Sequence, residues 1–148
     1  MPYVILALLL LFLTTPAWAE RLLVSNEKDN TITVIDAATL AVTATVQVGD
    51  RPRGIVLSKD GRSLYICASD SDHIEVLDLA SLTVKQILPS GPDPELFALN
   101  PAGDRLYVSN ENDSMVSVLD LKEGTSPQKS PSASSPRAWP SARMGAPS

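Results

Sequence analysis

The chain has 148 residues, enough for one compact domain, and its formal net charge is −5. Residues 20–124 contain all 17 acidic residues but only nine of the 12 basic ones. Such a negatively charged surface would repel phosphates, so we do not predict nucleic acid as a partner. The single cysteine, Cys67, excludes an internal disulfide, and we interpret it as a small buried apolar residue rather than a catalytic thiol.

The first 19 residues have the pattern of a secretory signal peptide. Residues 4–13 form an unbroken apolar run, followed by Pro16 and the small-x-small sequence Ala17-Trp18-Ala19. Ten apolar residues are too few to span a bilayer core of about 30 Å, which disfavours a membrane anchor. We therefore predict cleavage before Glu20, a periplasmic or secreted location, and no membrane association after cleavage.

Residues 20–124 repeat with a period of 42 residues. The run that begins at Leu22 returns at Leu64 and again at Leu106, and Gly61 returns as Gly103. A fixed period in the low forties that carries short β-type runs is typical of stacked arrays such as propellers.

Each repeat contains four short apolar runs separated by turn-forming residues, which predicts an all-β fold. Stacked four-stranded sheets are the arrangement of a propeller, and a closed ring needs at least about four of them. We therefore predict an incomplete β-propeller of about two and a half four-stranded blades. The predicted strands cover residues 22–25, 32–35, 42–48, 54–58, 64–68, 74–77, 84–88, 96–100, 106–109 and 116–119.

The tail, residues 125–148, differs sharply from the repeats. It has no Leu, Ile, Val or Phe, and it has five prolines and seven serines in 24 residues. This composition predicts a disordered tail. A second interpretation is that the tail is the next repeat translated out of frame. The single codons of Trp139 and Met144 then force an alanine 42 residues after Ala98 and a glycine 42 residues after Gly103.

Three segments resemble the YVTN family of β-propellers, and the likeness covers about residues 21–121. They are Leu-Tyr-Val-Ser-Asn at 106–110, Val-Ser-Val-Leu-Asp at 116–120 and the run at 49–61. Ser109 stands where that family often has Thr. Residues 67–72 and 91–99 are similar to the group associated with pyrroloquinoline-quinone (PQQ)-dependent alcohol catabolism. The resemblance implies an exported protein, usually with seven blades, and does not define a biochemical role.

Candidate binding residues lie in the loops expected at the mouth of the central channel, where propellers bind ligands. Arg51 and Arg53 could clamp a carboxylate or phosphate, or could be solvated rim charges. Asp93 and Glu95 could act as general acid and base, or could bind a hard cation together with the other two acidic residues of the predicted site, Asp70 and Asp72.

No nucleophile motif, phosphate loop or paired-cysteine site occurs, and His73 is the only histidine. We therefore predict no catalytic residue, no metal site and no cofactor within these repeats. The first function hypothesis is a non-catalytic module that binds a protein or small molecule, as an accessory to periplasmic PQQ-dependent alcohol oxidation. The alternative is a fragment of a lactonase- or quinoprotein-type propeller enzyme with its catalytic residues on other blades. Open blade edges also predict self-association.

Overall fold

The computed structural model describes residues 20–123 and the backbone of residues 128–131. This part of the chain forms eleven strands and one short 3-10 turn, Ser69–Ser71. In chain order the strands are β1 (Arg21–Asn26), β2 (Thr31–Asp36), β3 (Val42–Gln47), β4 (Pro52–Leu57), β5 (Ser63–Ala68), β6 (His73–Asp78), β7 (Thr83–Pro89), β8 (Pro94–Leu99), β9 (Arg105–Asn110), β10 (Met115–Asp120) and β11 (Gln128–Pro131).

The strands form three antiparallel sheets in simple up-and-down order. The first sheet is β1-β2-β3, the second is β4-β5-β6-β7 and the third is β8-β9-β10-β11. The strand that ends one sequence repeat pairs with the first strand of the next, as Ile55 with Ile66 and Phe97 with Val108. The prediction of an all-β partial propeller is confirmed, and each four-stranded sheet draws its strands from two successive repeats.

The core consists of two apolar layers between neighbouring sheets. Ile32 of the first sheet packs with Leu64, Ile66 and Leu77 of the second, and all four side chains are at most 1% exposed. The strands of the second sheet are apolar on both faces because this central sheet is covered on both sides. Burying each of these side chains contributes about 1.5–3 kcal/mol, so sheet stacking is the main source of stability.

The second layer is formed by residues at equivalent positions one repeat later, some of them with different side chains. Ile74 and Cys67 of the second sheet pack with Leu106, Val108 and Leu119 of the third. Burial raises the pKa of the Cys67 thiol, which keeps it protonated and unreactive.

The first strands of the second and third sheets, β4 and β8, lie close together. A Cβ atom on Gly54 would lie 2.5 Å from the Glu95 carbonyl oxygen, so the backbones can approach this closely only because residue 54 has no side chain. This contact places the loops that precede β4 and β8 side by side.

Two predicted segments fall outside the described residues: the signal peptide at 1–19 and most of the tail at 125–148. Within the predicted tail, residues 128–131 form β11, which pairs with β10. Among the described residues, no helix is long and apolar enough to cross a membrane.

Candidate functional site

The loops before β4 and β8 have the same backbone conformation. Arg51 and Asp93 occupy the same position in successive repeats, and both have a φ of 53°. The Arg51 N–H donates to Oδ1 of Asn30 at 2.8 Å, and the Asp93 N–H donates to Oδ1 of Asp72 at 2.9 Å. Non-glycine residues rarely adopt a positive φ, and the same conformation at equivalent positions shows that the repeated turn imposes it.

The Arg51 guanidinium reaches carboxylates from all three sheets. Its Nε lies 3.2 Å from Glu27, its Nη1 lies 2.9 Å from Asp70 and 3.4 Å from Asp93, and its Nη2 lies 3.2 Å from Glu95. The hydrogen bonds to Asp70 and Glu27 raise the pKa of Arg51, so it stays charged. Arg51 therefore holds the three loops together.

Arg53, on β4, makes the shortest ion pair with Glu95. Its Nη1 lies 2.8 Å from Oε1 of Glu95 and 3.9 Å from Glu27. The Arg53 side chain is 33% exposed and that of Glu95 is 15% exposed. One side of the pair is therefore open to a ligand while the carboxylate is largely shielded from water.

Glu95 has an unusual electrostatic environment. Burial, and then a hydrogen bond to Glu111, raise the pKa of Glu95, and the positive charge of Arg53 opposes this effect. One carboxylate oxygen from each of Asp93, Glu95 and Glu111 lies within 4.8 Å of the other two. Three such oxygens could hold a hard cation, but the cation would compete with Arg51 and Arg53 for the same carboxylates.

Two clefts flank the arginines. One has a volume of about 330 Å³ and is lined by Ser25, Glu27, Pro52, Arg53, Gly54, Glu95 and Leu96. The other, of about 390 Å³, is lined by Glu27, Lys28, Asn30, Asp50, Arg51 and Asp70. Both volumes suit a small ligand, and each cleft offers one arginine and at least two carboxylates.

The structure brings five of the six predicted site residues into one cluster: Arg51, Arg53, Asp70, Asp93 and Glu95. The sixth, Asp72, lies beside the cluster and uses its carboxylate to hold the Asp93 backbone.

Sequence reasoning missed Glu27 and Glu111 as individual residues, although both lie in loops predicted at the channel mouth. They occupy the same repeat position, 84 residues apart, with Ser69 between them. Comparing loop residues by repeat position could have found them.

Comparison with known proteins supports the propeller assignment. The family model "Lactonase, 7-bladed beta-propeller" matches residues 15–84. The fold is similar to that of hydrazine synthase from Kuenenia stuttgartiensis, with a TM-score of 0.69 and 26% identity over 74% of this chain. It is also similar to the dihydro-heme d1 dehydrogenase NirN, with a TM-score of 0.65 and 22% identity over 79% of this chain. No curated protein matches the sequence.

The chain spans 32% of the hydrazine synthase chain and 25% of the NirN chain. The prediction that this is not an enzyme is wrong, because residues 15–84 match a family model of lactonases. The prediction relied on missing local motifs. A propeller site gathers single residues from several blades, so a short motif is a poor test for one.

Proposed function

We propose that this chain supplies three adjoining blades of a propeller enzyme of the lactonase type. The cluster of Arg51, Arg53 and Glu95 is its contribution to the active site, and other blades supply the rest. The observation that carries the proposal is the pairing of Arg53 with Glu95 at 2.8 Å beside a cleft, in a chain whose residues 15–84 match the lactonase model.

The residues suit the chemistry of lactone hydrolysis. Water attacks the ring carbonyl carbon and the carbonyl π electrons move onto oxygen. When this oxyanion re-forms the carbonyl, the ring C–O bond breaks and the leaving oxygen takes the proton that Glu95 accepted from the water. Glu95, whose pKa is raised, accepts the proton of the attacking water. Arg53 and Arg51 donate hydrogen bonds to the developing oxyanion. A lactone that carries a carboxylate would also pair with an arginine.

The test is lactone hydrolysis by the protein expressed from its full gene. Five- and six-membered lactones, with and without a carboxylate substituent, are followed by base uptake at constant pH. We expect saturable hydrolysis above the uncatalysed rate for at least one of them. A folded protein that hydrolyses none of the panel would overturn the proposal.

The finer resemblance, to YVTN propellers associated with PQQ-dependent alcohol catabolism, is checked by the same preparation. Oxidation of a primary alcohol that depends on added PQQ would place the protein in the quinoprotein class instead. We also propose export through residues 1–19 and a small-molecule partner at the loop face. Amino-terminal sequencing of the mature protein, with Glu20 expected first, tests the export.

A further inference from the structure

Three successive backbone amides in the loop before β4 donate to side chains. The Gly49 N–H donates to Oε2 of Glu75 at 2.9 Å, and the Asp50 N–H donates to Oγ of Ser71 at 3.1 Å. The Arg51 N–H, the third of them, also donates to a side chain. Glu75 is only 7% exposed, so a carboxylate shielded from water holds the start of the loop that presents Arg51.

The first and third sheets share a side-chain link between two neighbouring strands. In the first sheet, Nδ2 of Asn26 donates to Oγ1 of Thr31 at 2.9 Å and to Oγ1 of Thr33 at 2.7 Å. In the third sheet, Nδ2 of Asn110 donates to Oγ of Ser117 at 2.8 Å. A link from an amide to a hydroxyl is therefore the ordinary arrangement at these repeat positions.

The second sheet has Ala68, His73 and Glu75 at the same positions. Alanine has no amide to donate, and its small side chain leaves room for Glu75, which reaches out of the sheet to the Gly49 N–H. Gly49 packs against both residues, since a Cβ atom on it would lie 2.8 Å from the Ala68 Cβ and 3.0 Å from Oε1 of Glu75. These substitutions replace a hydrogen bond within the sheet by a hydrogen bond to the loop.

His73 lies against the Glu75 carboxylate. Its Nδ1 donates to the Ser71 carbonyl oxygen at 2.9 Å, because a carbonyl oxygen can only accept. Its Nε2 lies 3.5 Å from Oε1 of Glu75, is buried and has no hydrogen-bond partner among the described residues. The imidazole ring therefore connects Ser71 and Glu75, the two residues that hold the first two amides of the loop.

We propose that Glu75, supported by His73, is a positioning residue for Arg51. It fixes Gly49, two residues before Arg51, and so fixes the backbone from which the guanidinium reaches carboxylates of all three sheets. The action of Arg51 on an oxyanion rests on the proposed function. The placement of Arg51 by Glu75 does not, so the two are measured separately.

The test gives the second sheet the residues of the first, in the variant Ala68→Asn/His73→Thr/Glu75→Thr. This triple variant can form the amide-to-hydroxyl link but has no carboxylate for Gly49. Full-length protein labelled with ¹⁵N in glycine and arginine provides two NMR readouts. We expect hydrogen exchange of the Gly49 amide to become at least about tenfold faster, as for loss of a hydrogen bond to a charged acceptor. The order parameter of the Arg51 Nε–H group should fall from a rigid value of about 0.85 to below about 0.6.

Glu75→Gln is the conservative variant. Its side-chain oxygen still accepts from the Gly49 N–H, and its NH₂ group can donate to Nε2 of His73. Both readouts should therefore keep their wild-type values. The Gly61 amide, which donates to the Ser58 carbonyl oxygen in the turn between β4 and β5, is the internal control and should exchange equally in all the proteins.

Urea unfolding checks that each variant is folded. If the triple variant is not, Ala68→Asn/Glu75→Ser, which has the corresponding pair of the third sheet, replaces it. A folded variant in which Arg51 stays rigid would overturn the proposal, whether or not the Gly49 amide exchanges faster. A Glu75→Gln variant that loses rigidity as the triple variant does would also overturn it, because the acceptor for Gly49 is still present.

Lactone hydrolysis gives a separate readout of the same variants. With the best lactone that lacks a carboxylate, the triple variant should lose at least about tenfold in kcat at unchanged KM, since Arg51 donates to the developing oxyanion. Glu75→Gln should restore kcat. Wild type that hydrolyses no lactone would overturn the proposed function, and the two NMR readouts would still decide whether Glu75 places Arg51.

Discussion

Nη1 of Arg51 lies 3.4 Å from Oδ1 of Asp93, and the two residues occupy the same position of successive repeats. Identical residues at this position would place like charges together, so the ion pair depends on the difference between the two repeats. The candidate site is therefore found where the repeats diverge, whereas the core is found where they agree.

Glu95 should titrate above the ordinary carboxyl range, because burial and Glu111 raise its pKa. Glu111→Gln should lower the pKa of Glu95, and Arg53→Gln should raise it further, since Arg53 stabilises the charged form. Carboxyl ¹³C chemical shifts of Glu95 measured against pH in the three proteins check this. Identical titration curves would show that neither neighbour acts on Glu95.

Replacing Leu40 with glycine should stabilise the fold. It has a φ of 59°, is 72% exposed and lies in the turn between β2 and β3, so its side chain contributes little packing. Leu40→Gly removes the strain of a left-handed backbone and should raise the free energy of unfolding by about 0.5–1 kcal/mol. Val42→Gly, in strand β3, should lower the free energy of unfolding by about 0.5–1 kcal/mol. Urea unfolding of both variants measures the difference, and destabilisation by both would contradict the assignment of strain.

Acid should destabilise the fold through Asp36 and Asp78, the aspartates that end β2 and β6. Backbone hydrogen bonds from Thr39 and Ser81 lower the pKa values of Asp36 and Asp78. A lowered folded-state pKa contributes stability that is present above the unfolded value of about 3.9 and is lost as pH falls through the folded value. Asp78→Asn keeps the acceptor oxygen but cannot titrate. Its midpoint of urea unfolding should therefore fall less than that of wild type when the pH is lowered from about 5 to about 2, an interval that spans the titration of an aspartate. An equal fall in both proteins would contradict this cause.

Gly54 should not tolerate a methyl group. Its added Cβ would meet the backbone of β8, 2.5 Å from the Glu95 carbonyl oxygen and 3.0 Å from the Leu96 Cα. We expect Gly54→Ala to cost about 1–3 kcal/mol and to shift the Glu95 backbone. Gly61→Ala is the comparison, because Gly61 has open space and a φ of 68°, and strain alone should cost about 1 kcal/mol. A smaller loss in Gly54→Ala than in Gly61→Ala would contradict close packing of β4 and β8.

Much of the fold could be predicted because the 42-residue period places the same apolar residues in every sheet, as with Leu22, Leu64 and Leu106. Strand β11 was missed because residues 128–131 read Gln-Lys-Ser-Pro and have no apolar pattern. Its position was still accessible from the period, since the residues 42 earlier lie in β7. Backbone pairing needs no apolar side chain, so this strand has little compositional signal.

The members of the candidate site could be predicted better than their contacts. Loop positions identified Arg51, Arg53, Asp93 and Glu95, since each repeat brings the same loop to the same end of its sheet. The reach of Arg51 to Glu27 in the first sheet could not be predicted, because it depends on a positive φ that arginine rarely adopts.

The most direct test of the proposed active site is kcat/KM for the best lactone substrate in wild type, Glu95→Gln and Glu20→Gln. Glu20 is an exposed carboxylate outside the cluster, so Glu20→Gln controls for the loss of one negative charge. We predict a fall of at least about 100-fold in Glu95→Gln, as expected for loss of a general base, and no change in Glu20→Gln. A folded Glu95→Gln variant with the kcat/KM of wild type would contradict the assignment.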